Sequence, residues 1–114
     1  MKVLNQTRNI VLAENAELAD SFLSRMKGLL GRDRLDPNQA LVITRCQQIH
    51  MFFMRFAIDA VFIDSASQVV GLVENIKPSQ MSSIFWKANR VIELPSGSIA
   101  RTKTSLGDHI QISS

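Results

Sequence analysis

Cys46 to Asp64 reads CQQIHMFFMRFAIDAVFID, and the reading of its second half decides the fold. On an extended strand from Ile58, Ile58, Ala60 and Phe62 point one way, and Asp59, Val61 and Ile63 the other. Apart from Asp59 both sets are apolar, which predicts a buried strand. Asp64-Ser65-Ala66-Ser67-Gln68 then reads as a hairpin turn, and Val69 to Ile76 as the return strand, ended by Pro78.

Upstream, Ala40 to Thr44 (ALVIT) is a short strand, apolar on both faces and so expected to be central. Val3 to Ala13 is expected to form a strand or loose hairpin, with apolar ends around Asn5 to Asn9. Between these lies the best helix pattern. Asp20 or Ser21 can cap it, Phe22, Leu23, Met26, Leu29 and Leu30 form one apolar face, and Gly31 stands where a helix would end. An amphipathic helix is therefore expected over about 18–30. Downstream, Arg90 to Leu94 is a strand stopped by Pro95-Ser96-Gly97. A short helical or irregular piece at 98–105 and a last strand at 109–112 follow. Residues 79–89 form a loop carrying Met81, Ile84, Phe85 and Trp86, apolar enough to be either a lid or a contact patch.

Several short strands and one amphipathic helix make an α+β fold. Short connections favour antiparallel pairing, because parallel crossovers need a dozen or more residues. The expected architecture is a highly curved or barrel-like sheet with the helix covering it. With 114 residues the chain is read as a single domain, 1–114.

The net charge of +3 is concentrated in the first half, notably at Arg25, Lys27, Arg32 and Arg34. Asp33 and Asp36 interrupt that cluster, which argues against a nucleic-acid surface and for a solvated basic face. One cysteine excludes an intramolecular disulfide. No signal-peptide pattern and no membrane-length apolar run is present, so the chain reads as soluble and cytoplasmic.

GLLGRDRL, then IHMFFMRFAIDAVFID, a return strand ending in Lys77-Pro78, then IELPSG and LGD together resemble a small bacterial and archaeal family. That family is catalogued as domain of unknown function 192. The resemblance runs from about Ala13 to the C-terminus. Met51 stands where members commonly carry a small or hydroxyl residue, Ala57 where a proline is common, and the hairpin turn lacks a frequent glycine. The resemblance implies a compact, mostly β domain and brings no catalytic residues with it.

Cys46, His50 and Met54 are spaced C-x3-H-x3-M, a soft donor set that suits Cu(I) if the segment is helical or looped. Extended, four residues span about 13 Å, too far for two of them to share an ion. Core packing of Cys46 and Met54, with a hydrogen-bonded His50, is the simpler reading. Asp59, beside apolar neighbours, must be paired or hydrogen-bonded. Its expected partners are N–H groups of the 51–56 loop, Arg55 or Arg45. The functional reading sets it beside His50 as an acid/base pair. Glu93, in VIELP, either faces solvent or points into the same pocket as Asp59.

Three functions follow. The favoured one is a non-catalytic module binding a small molecule or peptide in a pocket near His50, Met54, Asp59 and Glu93. The alternatives are an enzyme using His50 and Asp59, and Cu(I) binding by Cys46, His50 and Met54. The favoured reading calls for no cofactor. Unpaired sheet edges and a Trp-bearing loop leave room for a homodimer.

Overall fold

The computed structural model describes residues 1–20 and 33–114. A first hairpin pairs β1 (Lys2–Asn5) with β2 (Ile10–Ala13), as expected from the sequence. The chain then runs through β3 (Asn15–Ala19), β4 (Gln39–Thr44), β5 (Ile58–Ile63), β6 (Val69–Ile76) and β7 (Arg90–Pro95). A short helix α1 (Ser98–Thr102) and β8 (Ile110–Ser113) follow. These strands form two sheets, of order β2-β1-β8 and β3-β4-β7-β5-β6.

Two expectations need correction. Instead of one curved or barrel-like sheet there are two, and among the described residues neither closes on itself. The helix expected over 18–30 falls mostly outside the described residues, but Leu18 and Ala19 end strand β3. Their apolar character serves a strand paired with β4, which the helical periodicity beginning at Phe22 obscured. The basic residues Arg25, Lys27 and Arg32 also lie outside the described residues.

Among the described residues every strand pairing is antiparallel except that of β3 with β4. That parallel pair brackets the connection from Ala19 to Gln39, which is long enough for a crossover. The 64–68 turn works without a glycine. Asp64 Oδ1 accepts the N–H groups of Ala66 (3.0 Å) and Gln68 (2.9 Å), while Ser67 takes the left-handed conformation (φ 63°).

β5, buried at every position, divides the apolar interior. Ile58, Ala60 and Phe62 face a first cluster with Leu41, Ile43, Val91, Ile49, Met51 and Met54. Val61 and Ile63 face a second, with Val42, Ile92, Leu94, Val3, Ile99 and Ile110. The second cluster fills the space between the two sheets.

A buried polar knot ties both ends of the chain to the smaller sheet. Asp108 Oδ2 accepts bonds from Asn5 Nδ2 (2.9 Å), Arg8 Nε (2.7 Å) and the Ser105 N–H (2.9 Å). Burial by itself raises the Asp108 carboxyl pKa, but the bonds from Asn5, Arg8 and Ser105, with the Arg8 charge, outweigh it and hold the group below the ordinary carboxylate value. A folded pKa below the unfolded one stabilises the protein above the unfolded value of about 3.9, and this is lost as pH falls through the folded pKa. Acid titration should therefore destabilise the wild type more steeply below about pH 4 than Asp108→Asn. Urea midpoints measured across that range check it; parallel profiles would remove Asp108 as the source.

Candidate functional site

Alternation along the strands places each candidate residue. Asp59 pairs with Leu94 across β5 and β7, so it faces the second cluster and α1. Its Oδ1 accepts the Asn75 N–H (2.8 Å) and its Oδ2 the Ile99 N–H (2.9 Å). Asp59 is thus a buried capping carboxylate, as one reading of the sequence had it. Its partners are Asn75 and Ile99, however, not the 51–56 loop, Arg55 or Arg45.

Glu93 lies opposite Leu41 on β4 and Ala60 on β5, both residues of the first cluster. It is fully buried, which corrects the expectation that it faces solvent. It also points away from Asp59, so the two carboxylates do not share a pocket. A central strand covered on both faces leaves no solvent side for Glu93, and its odd position in β7 sets its face.

The 45–57 segment packs over the first cluster, through Ile49, Met51 and Met54. His50 is half-buried and stacks on Phe52, with ring centroids 4.8 Å apart. His50, Met54 and Glu93 therefore lie on one side of the larger sheet and Asp59 on the other. The sheet separates the expected acid/base pair, and His50 with Asp59 cannot face one cleft.

The 45–57 segment is neither helix nor compact loop at its start. It runs antiparallel beside residues 79–89, stitched by Cys46 N–H to Asn89 O (3.2 Å), Phe85 N–H to Gln47 O (2.8 Å), Ser82 N–H to Ile49 O (2.9 Å) and Met51 N–H to Gln80 O (2.8 Å). On such a path Cys46 and His50 are about 13 Å apart along the chain, which disfavours a shared metal ion. Cys46 Sγ instead donates to Gln48 O (3.1 Å), and Met54 is core.

The 79–89 segment is split in its role. Phe85 turns inward, its ring 4.4 Å from that of Phe62 and directly over Gly71. Ile84, Trp86 and Met81 are exposed, as are Phe52 and Phe53 on the neighbouring segment. Phe53 and Trp86 are 76% and 75% exposed. A groove of about 300 Å³ runs between Val70 on β6 and Ile84, Phe85, Trp86 and Lys87. The contact-patch reading of Met81, Ile84 and Trp86 thus had a sequence basis; Phe52 and Phe53 did not, because a Phe-Phe pair inside an apolar run looks like core.

The sequence signature of the DUF192 family, described as uncharacterized ACR, matches residues 3–112. The chain belongs to this family. A UPF0127 protein of Pyrococcus horikoshii is 34% identical over 96% of this chain and 96% of its own. Another UPF0127 protein, from Thermococcus sibiricus, is 35% identical over 95% of this chain and 72% of its own. The fold is shared with a crystal structure of a protein of unknown function from Novosphingobium aromaticivorans, at TM-score 0.84 and 21% identity, covering 98% of this chain and 84% of that one. Among the described residues of this DUF192 chain, no helix is long and apolar enough to cross a membrane.

Proposed function

We propose that this DUF192 protein is a non-catalytic binding module whose site is the outward face of the paired 45–57 and 79–89 segments, where a peptide or small apolar ligand docks. The observation that carries this reading is the exposure of Phe52, Phe53, Met81, Ile84 and Trp86 on adjoining, mutually hydrogen-bonded segments. Exposed apolar groups scattered singly need no explanation, whereas grouped ones mark interaction surfaces. Phe53 carries a second cost. Its φ of 67° is left-handed, a conformation that costs a non-glycine residue about 1–2 kcal/mol. Phe53 stands at the third position of the turn closed by the Met54 N–H to Met51 O (3.2 Å), which holds its backbone left-handed and leaves its side chain in solvent, where it can meet a ligand.

His50 and Met54 support this face from beneath, His50 by stacking on Phe52 and Met54 by filling the first cluster. Asp59 belongs to the fold on the far side of the sheet.

Trp86 is the chain's single tryptophan, so its emission reports directly on this surface. Titration with a degenerate hexapeptide pool should give a saturable blue shift. If no fraction of the pool shifts either the emission or the melting temperature, the reading fails. Phe53→Gly supplies a sharper check. It should raise unfolding free energy by about 0.5–1 kcal/mol through relief of the left-handed backbone, while weakening peptide binding. A variant that is destabilised, or that binds as tightly as wild type, would show Phe53 to be structural.

A further inference from the structure

Residues 45–57 and 77–90 contain no aspartate or glutamate, yet carry Arg45, Arg55, Lys77, Lys87 and Arg90. The whole chain has 13 Lys and Arg against 10 Asp and Glu, so an even spread would place acids in both. Because the fold lays these segments side by side, two acid-free stretches of sequence become one surface to which neither contributes an acid. Arg45, Arg55, Lys77 and Lys87 are exposed around the apolar patch. Arg90 is half-buried, bonded to Ser67 Oγ and Asn89 Oδ1. Arg55 meets an acid from outside the two segments, Asp33 at 3.7 Å, and both groups are open to water, which weakens the pair.

The groove beside this surface has apolar walls from Val70, Ile84, Phe85 and Trp86, and Lys87 lines it with them. It suits a bulky apolar side chain with a carboxylate close by. Strand β6, which contributes Val70, is the last strand of its sheet, but at Val69 its outer backbone is already bonded to Asp108 O (2.9 Å) and to the Gly107 N–H (2.9 Å), so a partner is placed along the groove and not along the strand edge.

We propose that the partner is an extended protein segment that is both apolar and acidic, its apolar side chain seated against Trp86 and its carboxylate on Lys87. This rests on the binding-module reading above and adds the charge of the partner. A second copy of the chain would set cations against cations. An anionic bilayer meets a plane better than a groove, and five cations spread over two segments do not make the sustained basic stripe that a nucleic acid needs.

The test uses the intact protein, Trp86 emission and three acetylated heptapeptide probes, EVEFEVE, QVQFQVQ and KVKFKVK. The acidic probe should bind roughly tenfold or more tightly than the neutral one, and the basic one not at all, with the gap closing at about 0.5 M salt. Lys87→Glu should abolish the preference for the acidic probe and shift it toward the basic one; Arg55→Glu should reduce the preference in part. Equal binding of acidic and neutral probes overturns the charge inference while leaving the binding module standing. Failure of all three probes, when the hexapeptide pool also fails, overturns both. Tighter binding to phosphatidylglycerol vesicles than to the acidic peptide, or self-association abolished by Trp86→Ser, replaces the proposed partner with a membrane or a second copy.

Discussion

Asp59→Ala is expected to lower the unfolding free energy by about 3–5 kcal/mol, roughly 10–20 °C in melting temperature for a domain of this size. Asp59 is fully buried, and each oxygen holds one backbone N–H, from Asn75 and from Ile99. Hydrogen bonds to a charged acceptor contribute about 1.5–3 kcal/mol each, and alanine would leave both donors without that acceptor. The consequences are also geometric. Asn75 sits at φ 51°, next to the place where β6 slips register against β5 between Ile58 and Ala60. Ile99 lies in the first turn of α1. One carboxylate on β5 therefore pins both an irregular edge strand and the helix after β7. Asp59→Asn keeps the shape but offers one oxygen instead of two, and should cost about 2 kcal/mol. Urea unfolding measures both variants. A loss below about 1 kcal/mol for alanine would show that the carboxylate is not the tie described here. Because Asp59 faces away from the 45–57 segment, Asp59→Asn should leave the Trp86 titration unchanged, whereas a catalytic or ligand-contacting Asp59 would not.

Gly71→Ala should destabilise by about 1–3 kcal/mol, and it should do so by prising up a segment it does not belong to. A methyl group on Gly71 would fall inside the Phe85 ring, which is already packed against Phe62. Either the ring or β6 must shift, and a shifted ring takes the 82–88 backbone with it. Emission from Trp86, next in the chain, should change, and limited proteolysis should open near 79–89. The cause can be isolated by a double-mutant cycle: in a Phe85→Ala background the added methyl meets space, and its cost should fall to near zero. An undiminished cost in that background would place the penalty elsewhere. Gly107 makes the contrast. It has open space around it and φ 88°, so alanine there is penalised by backbone conformation, not by contact.

Much of the fold was legible. The 58–63 and 69–76 hairpin and the strands at 40–44 and 90–94 were readable because alternation, proline and turn chemistry act within a few residues, whereas 98–105 stayed open between helical and irregular until the fold showed a helix at Ser98–Thr102. Leu18 and Ala19 were misassigned because a run that ends one strand also fits the start of a helical pattern. The division of one expected curved sheet into two depends on which distant strands pair, for example β1 with β8, and no local signal encodes that choice.

The candidate site was legible only in pieces. The notable residues His50, Asp59 and Glu93 drew attention because polar groups in apolar sequence are chemically unusual. The face on which each lies could be read for Asp59 within β5, but not relative to His50, since that relation needs the register of β5, β7 and the 45–57 segment together.

By itself the sequence determined the family, the β-rich character and the need for Asp59 to be hydrogen-bonded, since each follows from local pattern or from the cost of burying a charge. The tertiary structure alone decided that Asp59 and His50 lie on opposite faces, and that two acid-free segments merge into one apolar, cationic surface. The physical reason is that strand pairing across long chain separations, set by the burial of both faces of β5, chooses which side chains become neighbours.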